Sequence, residues 1–442
     1  MITKIYRKQF LFYFLICMMH TTFATIPNSI TGNVTGSFSH PYGIALLPND
    51  TMAYVCNSSN NSVNFFNVET NTVVGTVTDT NHTFNKPTVI AITPNGTTAY
   101  ICNQNGNSVS IINIATNTVT GIVNDPLVTL DKPLAIAITP DGTKAYVCNQ
   151  NNNSISIIDL VPTSITYNTV TGTVNDPNST LGSPYAIAIT PNGSTAYVCN
   201  YIRNSVSIIN IATDTVTGTV TNTSYTFNEP NAIGITPDGT TAYVSNFGNY
   251  LIIIINIATN TTIGSLNCPL ADPSTIAIMP NGIAAYVCDE NSIVIIDVAA
   301  NKITGTVLSS SFNIPIGIAI TSNNETGYIT NELANSVSIL YIATPVQAPS
   351  SISVKRGIDR FLQFVDIINT ISWTPPTQGT SPVEYAIYRD AALTQLITTV
   401  SASGPLSYSD SKLSPNTTYH YYIVSIDAQG NVSAPISTSI KG

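Results

Sequence analysis

Short apolar runs alternate with polar turns along this chain, and the unit they form repeats. Residues 184–220 show it in full. Pro184 leads into Ala186, Ile187, Ala188, Ile189 and Thr190, a short predicted strand. Pro191-Asn192-Gly193 follows as a tight turn, because Pro presets φ and Asn-Gly tolerates φ > 0. A second strand is predicted over 196–200. The third covers 204–211, where Ser205, Val206, Ser207 and Ile208 alternate. After the Ala212-Thr213-Asp214 turn the fourth covers 215–220. Period-two alternation and β-branched richness argue for strands. Beyond the first 24 residues no helical period stands out.

Within each unit the second strand carries a Tyr-Val-Cys-Asn-like tetrad. It begins at Tyr54, Tyr100, Tyr146, Tyr197, Tyr243, Tyr286 and Tyr328, at spacings of 46, 46, 51, 46, 43 and 42 residues. A period of 40–50 residues built from four short strands marks a propeller blade. The expected fold is therefore all-β, a seven-bladed β-propeller over residues 25–344. The seventh unit reaches Pro345 without a fourth strand. Ile30-Thr31-Gly32-Asn33-Val34 resembles the fourth strand Val170-Thr171-Gly172-Thr173-Val174. Residues 29–38 are thus expected to complete the last blade, which joins the ends and removes exposed ladder edges.

The repeated text resembles the YVTN-type β-propeller repeat family over roughly residues 29–343. It runs Ile-Ala-Ile-Thr-Pro-Asp/Asn-Gly-Thr-x-Ala-Tyr-Val-Cys-Asn, then Asn-Ser-Val-Ser-Ile-Ile-Asn-Ile-Ala-Thr-Asn-Thr-Val-Thr-Gly-Thr-Val. Cys stands where that family has Thr in five of the seven tetrads. The resemblance implies an exported, surface-layer-like or envelope protein and carries no single chemistry.

After a stiff stretch at 345–349, the pattern changes over 350–442. The sole Trp, Trp373, follows a β-branched run, and Leu413-Ser414-Pro415-Asn416-Thr417-Thr418-Tyr419 precedes another apolar strand. This resembles a fibronectin type III domain, with a core Trp and a tyrosine corner, and implies a β-sandwich used as a spacer or adhesion unit.

Charge narrows the partners. Only 8% of residues are charged and the net charge is −9, so Asn, Thr and Ser wet the surface. An acidic chain with no basic stripe suits phosphate backbones poorly, and nucleic acid is set aside. Residues 1–24 read as a secretory signal: Lys4, Arg7 and Lys8, an apolar stretch over 10–19, then Thr22-Phe23-Ala24 before cleavage. No later run reaches the ~18 apolar residues of a membrane span. The expected location is periplasmic, cell-surface or extracellular. Cys56, Cys102, Cys148, Cys199 and Cys288 hold equivalent places in different units. They are expected to stay unpaired, because equivalent blade positions lie beyond disulfide reach.

Candidate chemistry is sparse. The histidines after residue 24 are His40, His82 and His420, and no metal-ligand spacing or nucleophile elbow occurs. The expectation is a non-enzymatic binding or adhesion protein whose partner is a protein or glycan at the envelope or in an extracellular matrix. The alternatives are a metal-assisted propeller hydrolase or lyase with its site at the channel mouth, or a self-assembling surface-layer component.

Departures from a repeated frame locate a site better than motifs do here. Residues after the leading prolines and in the second loops vary between units. They nominate Tyr42, Tyr185, Tyr201, Arg203, Asn231 and Phe247 for ligand binding. An acidic neighbourhood of His40, Asp289, Glu290 and Glu332 is the weaker nominee, for a divalent cation. No other cofactor is expected.

Overall fold

The computed structural model describes residues 28–222, 224–269, 272–342, 347–361, 364–376, 382–426 and 432–441. The expected signal and the start of the expected linker lie outside these. The chain divides into two compact units, Asn28–Ile342 and a second that contains Ala343–Gly442.

The first unit holds seven four-stranded antiparallel sheets. Blade one is typical: Pro41–Leu46 innermost, then Met52–Asn57, Ser62–Asn67 and Thr72–Thr76. The seven innermost strands touch in a closed circle, with Pro41–Leu46 meeting both Pro87–Ile92 and Pro315–Ile320. Ser29–Asn33 pairs antiparallel with Ser336–Tyr341 and supplies the outer strand of blade seven.

Each tetrad position does one job. The tyrosine is buried and its hydroxyl reaches the turn between the third and fourth strands of the next blade. Tyr54 bonds Asn117 at 2.6 Å, Tyr328 bonds Asn71 at 2.7 Å, and Tyr100, Tyr146, Tyr197 and Tyr243 bond Asn168, Asp214, Asn260 and Asn301. Those turn residues sit at φ near 50°, which Asn and Asp tolerate. For blade six the partner comes from the chain start: Asn28 Nδ2 donates to the Tyr286 hydroxyl at 2.9 Å. Seven tyrosines therefore bolt seven blades into a ring. The Val or Ile that follows is fully buried in the interblade core.

The third position must be small and able to donate towards the next blade. Cys199 Sγ approaches the Ala232 carbonyl at 3.7 Å, and Thr330 Oγ1 bonds the Tyr42 carbonyl at 2.6 Å. The cysteines of the described residues are buried and free, and burial pushes the Cys148 thiol well up. The fourth position, a buried Asn or Asp, accepts in blades one to six a backbone N–H from the loop that leads into its own blade, as from Ser39 to Asn57 at 3.1 Å. The recurrence of the tetrad along the chain thus follows from ring assembly.

The second unit places Ser351–Phe361, Phe364–Thr374 and Ser407–Asp410 in one sheet. Leu396–Ser401, Glu384–Tyr388, Tyr419–Ile426 and Ile436–Ile440 form the other. Ile371, Trp373, Tyr385, Ile387, Tyr421 and Ile423 form the core from both sheets. Tyr419 makes the expected corner, its hydroxyl accepting the Ser414 N–H at 2.8 Å. Arg389 ion-pairs with the buried Asp410, which also accepts the Tyr421 hydroxyl at 2.7 Å.

Candidate functional site

Three positions per blade converge on one mouth of the propeller channel. The first precedes the leading proline: His40, Lys86, Lys132, Ser183, Glu229, Asp272 and Ile314. All but Asp272 adopt φ between 48° and 54°. Five of these N–H groups are captured by an Asn of the preceding blade, as Lys86 N to Asn61 Oδ1 at 2.7 Å and His40 N to Asn335 Oδ1 at 2.7 Å. The side chains are thereby free to vary while the backbone is held.

The second position follows the proline: Tyr42, Thr88, Leu134, Tyr185, Asn231, Ser274 and Ile316. In every blade the strand register slips there, between Pro184 and Ala186 for instance. A bulge leaves one residue unpaired and re-aims its side chain. The third position follows the tetrad: Ser58, Gln104, Gln150, Tyr201, Phe247, Glu290 and Glu332. Its N–H bonds the carbonyl of the first position, as Tyr201 N to Ser183 O at 3.1 Å and Glu332 N to Ile314 O at 3.0 Å.

Blades one and four face each other across a seven-membered ring, and their second-position tyrosines meet. The Tyr42 and Tyr185 phenols come close enough for each to shift the other's ionisation. Burial pushes both phenols up, with the charge of Glu332 adding to each and that of Asp272 adding to Tyr185. Tyr185 stacks on Tyr201 with ring centroids 5.4 Å apart, and Tyr201 on Phe247 at 6.5 Å. The Tyr201 hydroxyl bonds Glu229 Oε2 at 3.1 Å, and burial plus that bond push it up to about 12. An aromatic line therefore runs from the channel axis across blades four and five.

Carboxylates flank this line. His40 Nδ1 lies 3.8 Å from Glu332 Oε1. The Asp272 carboxyl is pushed up, first by burial and then by the charges of Asp289 and Glu290. Close backbone approach fixes both sides of blade one at the mouth, against blade seven and against blade two. A Cβ on Gly317 would lie 2.4 Å from the Tyr42 carbonyl oxygen, and one on Gly43 2.5 Å from that of Thr88. Only glycine fits either place.

A family model for the lactonase 7-bladed beta-propeller matches residues 18–125 and 187–321, more than half of the chain. The chain belongs to this lactonase propeller family. The fold agrees with a solved neighbour, Kuenenia stuttgartiensis Hydrazine Synthase. The two share 21% identity at a TM-score of 0.59, over 70% of this chain and 97% of that one, a likeness that speaks to fold alone. Exoglucanase B of Cellulomonas fimi is 41% identical over 66 residues, which is 15% of this chain and only 6% of that protein.

Membership of the lactonase propeller family overturns the expectation of a non-enzymatic protein. A family without a His-rich or nucleophile motif in this chain gave no such signal in the sequence.

The nominated residues separate. Tyr42, Tyr185, Tyr201 and Phe247 come together as described. Arg203 is exposed and lies across Gly182 at the edge of this group. The Asn231 amide is engaged within the ring: its Nδ2 donates to the Pro273 carbonyl at 2.8 Å and its Oδ1 accepts from Ser245 at 2.7 Å, which ties blade five to blade six. The cation nominees do not assemble either. Among the described residues no group of three or more His, Cys, Asp or Glu could hold a metal ion. Asp289 is fully buried and accepts the Asp272 N–H at 2.8 Å, which makes it the sixth blade's version of the tetrad Asn. His40 and Glu332 pair. Asp272 and Glu229 escaped the sequence reading because loop residues before a proline look like ordinary turn residues until their backbone is seen pinned.

Proposed function

We propose that the channel mouth of this lactonase-family propeller hydrolyses the ring ester of a small hydroxylated lactone. The observation that carries the reading is the Tyr42–Tyr185 phenol pair, set across the mouth with carboxylates on one flank. His40, facing Glu332 through Nδ1, is placed to take a proton from water at its other nitrogen. The water oxygen then bonds the lactone carbonyl carbon. A phenol hydroxyl of the pair donates to the carbonyl oxygen as it gains charge. The ring C–O bond breaks, and Asp272, whose burial favours the protonated carboxyl, delivers a proton to the departing ring oxygen. The product is a hydroxy acid.

Proton release from gluconolactone, above the buffer rate, is the direct test. Tyr42→Phe and His40→Ala are each expected to slow turnover about 100-fold, within the usual range for such groups. Hydrolysis no faster than in buffer would remove the reading.

The aromatic line favours a second role at the same mouth. Tyr201 and Phe247 extend past the tyrosine pair, with Arg203 beside them. Stacked aromatics suit a longer glycan or a protein partner outside the cytoplasm. Loss of capture of a glycan array by Tyr201→Ala with Arg203→Ala would support it. Export through residues 1–24, and a fibronectin type III-like spacer role for the second unit, complete the proposal. The Trp373 core and the Tyr419 corner support the latter.

A further inference from the structure

We infer that two grooves between blades, on the face opposite the mouth, each bind a primary alkylammonium group. One lies between blades two and three, a cavity of about 260 Å³ whose lining includes Thr98, Tyr100, Asp141 and Tyr167. The other lies between blades four and five, a cavity of about 360 Å³ whose lining includes Thr195, Tyr197, Asp238 and Asn260. The two are equivalent places in the repeat. Thr98 and Thr195 each open the second strand of their blade. Asp141 and Asp238 each stand in the first turn of the blade that follows.

The intervening blade boundary shows the occupant. Between blades three and four, Lys144 opens the second strand in the place of Thr98 and Thr195. Its Nζ crosses to Asp214 Oδ2 of blade four at 2.6 Å. Asp214 replaces Asn260 as the acceptor of the tetrad tyrosine. The chain thus lays its own alkylammonium across this boundary, and a carboxylate receives it. In the two open grooves the carboxylate comes from the other wall, and the turn does not require it. Asn95 and Asn192 hold the same turn through an amide oxygen. In the Asp141 turn the Thr139 hydroxyl and the Thr143 N–H and hydroxyl all donate to Oδ1, so one oxygen serves the turn and the charge is surplus to it. The Thr139 and Thr236 hydroxyls hold the Asp141 and Asp238 carboxyls below the usual carboxylate range, and both are ionised at neutral pH. Neither lining holds Lys, Arg or His, so a cation meets this charge unopposed and an anion finds no counter-charge. Leu160 and Val161 in one groove, and Ile208 and Ile257 in the other, offer the apolar wall that an alkyl stem covers.

The test is equilibrium binding to the full chain, independent of any reaction at the mouth. Calorimetry compares butylammonium with 1-butanol, which has the same stem and no charge. Butylammonium is expected to bind at about 1–10 mM and butanol not to bind. Asp141→Asn with Asp238→Asn should weaken the amine about fivefold, the effect of a partly exposed ion pair. Thr98→Lys with Thr195→Lys, which fills both grooves in the manner of Lys144, should abolish binding. Both pairs of substitutions copy residues that the chain already carries at equivalent places, so wild-type-like melting is expected and guards against misfolding. Equal binding of butanol, no binding of butylammonium, or indifference to both pairs of substitutions would each overturn the sites. A third titrant, Nα-acetyl-lysine N-methylamide, separates the sources. Binding as tight as that of butylammonium supports the sites with a partner's lysine side chain as occupant, and binding of butylammonium alone supports them with a free amine.

Discussion

Asp272 shows how one residue carries opposing demands. Burial and the charges of Asp289 and Glu290 raise its carboxyl. A raised acid favours the native state while protonated, and that contribution is lost as pH rises through the folded-state value. The proposed acid role is lost over the same interval. Asp272→Asn should therefore do two things at once. Above the raised value it should melt higher than wild type, since the crowding with Asp289 and Glu290 is relieved. It should also turn over lactone more slowly and lose the alkaline fall of the pH–rate profile. Melting curves and rates across pH 4 to pH 9 would check both, and a profile unchanged by Asp272→Asn would take the acid role away. The turn carboxylates behave oppositely. The Asp141 carboxyl is held low, chiefly by the Thr139 hydroxyl donating at 2.6 Å, and Asn95 makes the same bond with Thr93 at 2.7 Å. Asp and Asn interchange there because only one acceptor oxygen is needed, and a frame role follows.

At the scale of elements, the strands and turns were legible because their causes are local. Alternation, β-branching and Asn-Gly turns specify a four-strand blade from a few dozen residues, and the repeated tetrad counts the blades. The spare strand at the chain start was legible because its text matches the other fourth strands. What lies between blades was not. Nothing in one repeat tells that Tyr54 finds Asn117, 63 residues on. The Tyr42–Tyr185 pair was hidden for a further reason: grouping by neighbouring blades cannot foresee contacts between blades that face each other across a narrow channel. The closure of blade seven makes the sharpest stability prediction. Removing residues 28–38 deletes the Ser29–Asn33 strand, buried Val34 and Phe38, and the Asn28–Tyr286 bond. Two apolar side chains at 1.5–3 kcal/mol each set the loss at about 5 kcal/mol, or a fall of about 10 °C in melting temperature. Tyr286→Phe removes only the bond and should cost about 1 kcal/mol. Equal melting of the truncated and intact propellers would mean that the first strand does not close the ring.

For the whole molecule, the two units rest on unlike physics. The propeller is a closed circle in which each blade borrows a side-chain bond, an interblade core and often a strand-edge bridge from its neighbour, as Thr78 does from Thr118 and Thr35 from Thr72. No blade has a complete core alone, so the ring should melt as one cooperative unit. The second unit has its own core around Trp373 and an ion pair of Arg389 with Asp410, with Arg389 also stacked 4.9 Å from the Tyr419 ring and 5.0 Å from that of Tyr421. The Arg389–Asp410 charges are paired within the unit, which removes one obstacle to its folding alone. Residues 28–342 and 343–442, made separately, should each show one transition, and the two should coincide with those of the intact chain within about 2 °C, the shift expected of about 1 kcal/mol or less. Arg389→Met should lower the second transition and leave the first in place, since breaking a buried ion pair costs about 3–5 kcal/mol where the lone charge is left. A propeller transition that moves with Arg389→Met, or that drops when residues 343–442 are absent, would mean that the units are energetically one body, and that lactone turnover by the isolated ring could not be taken as that of the full chain.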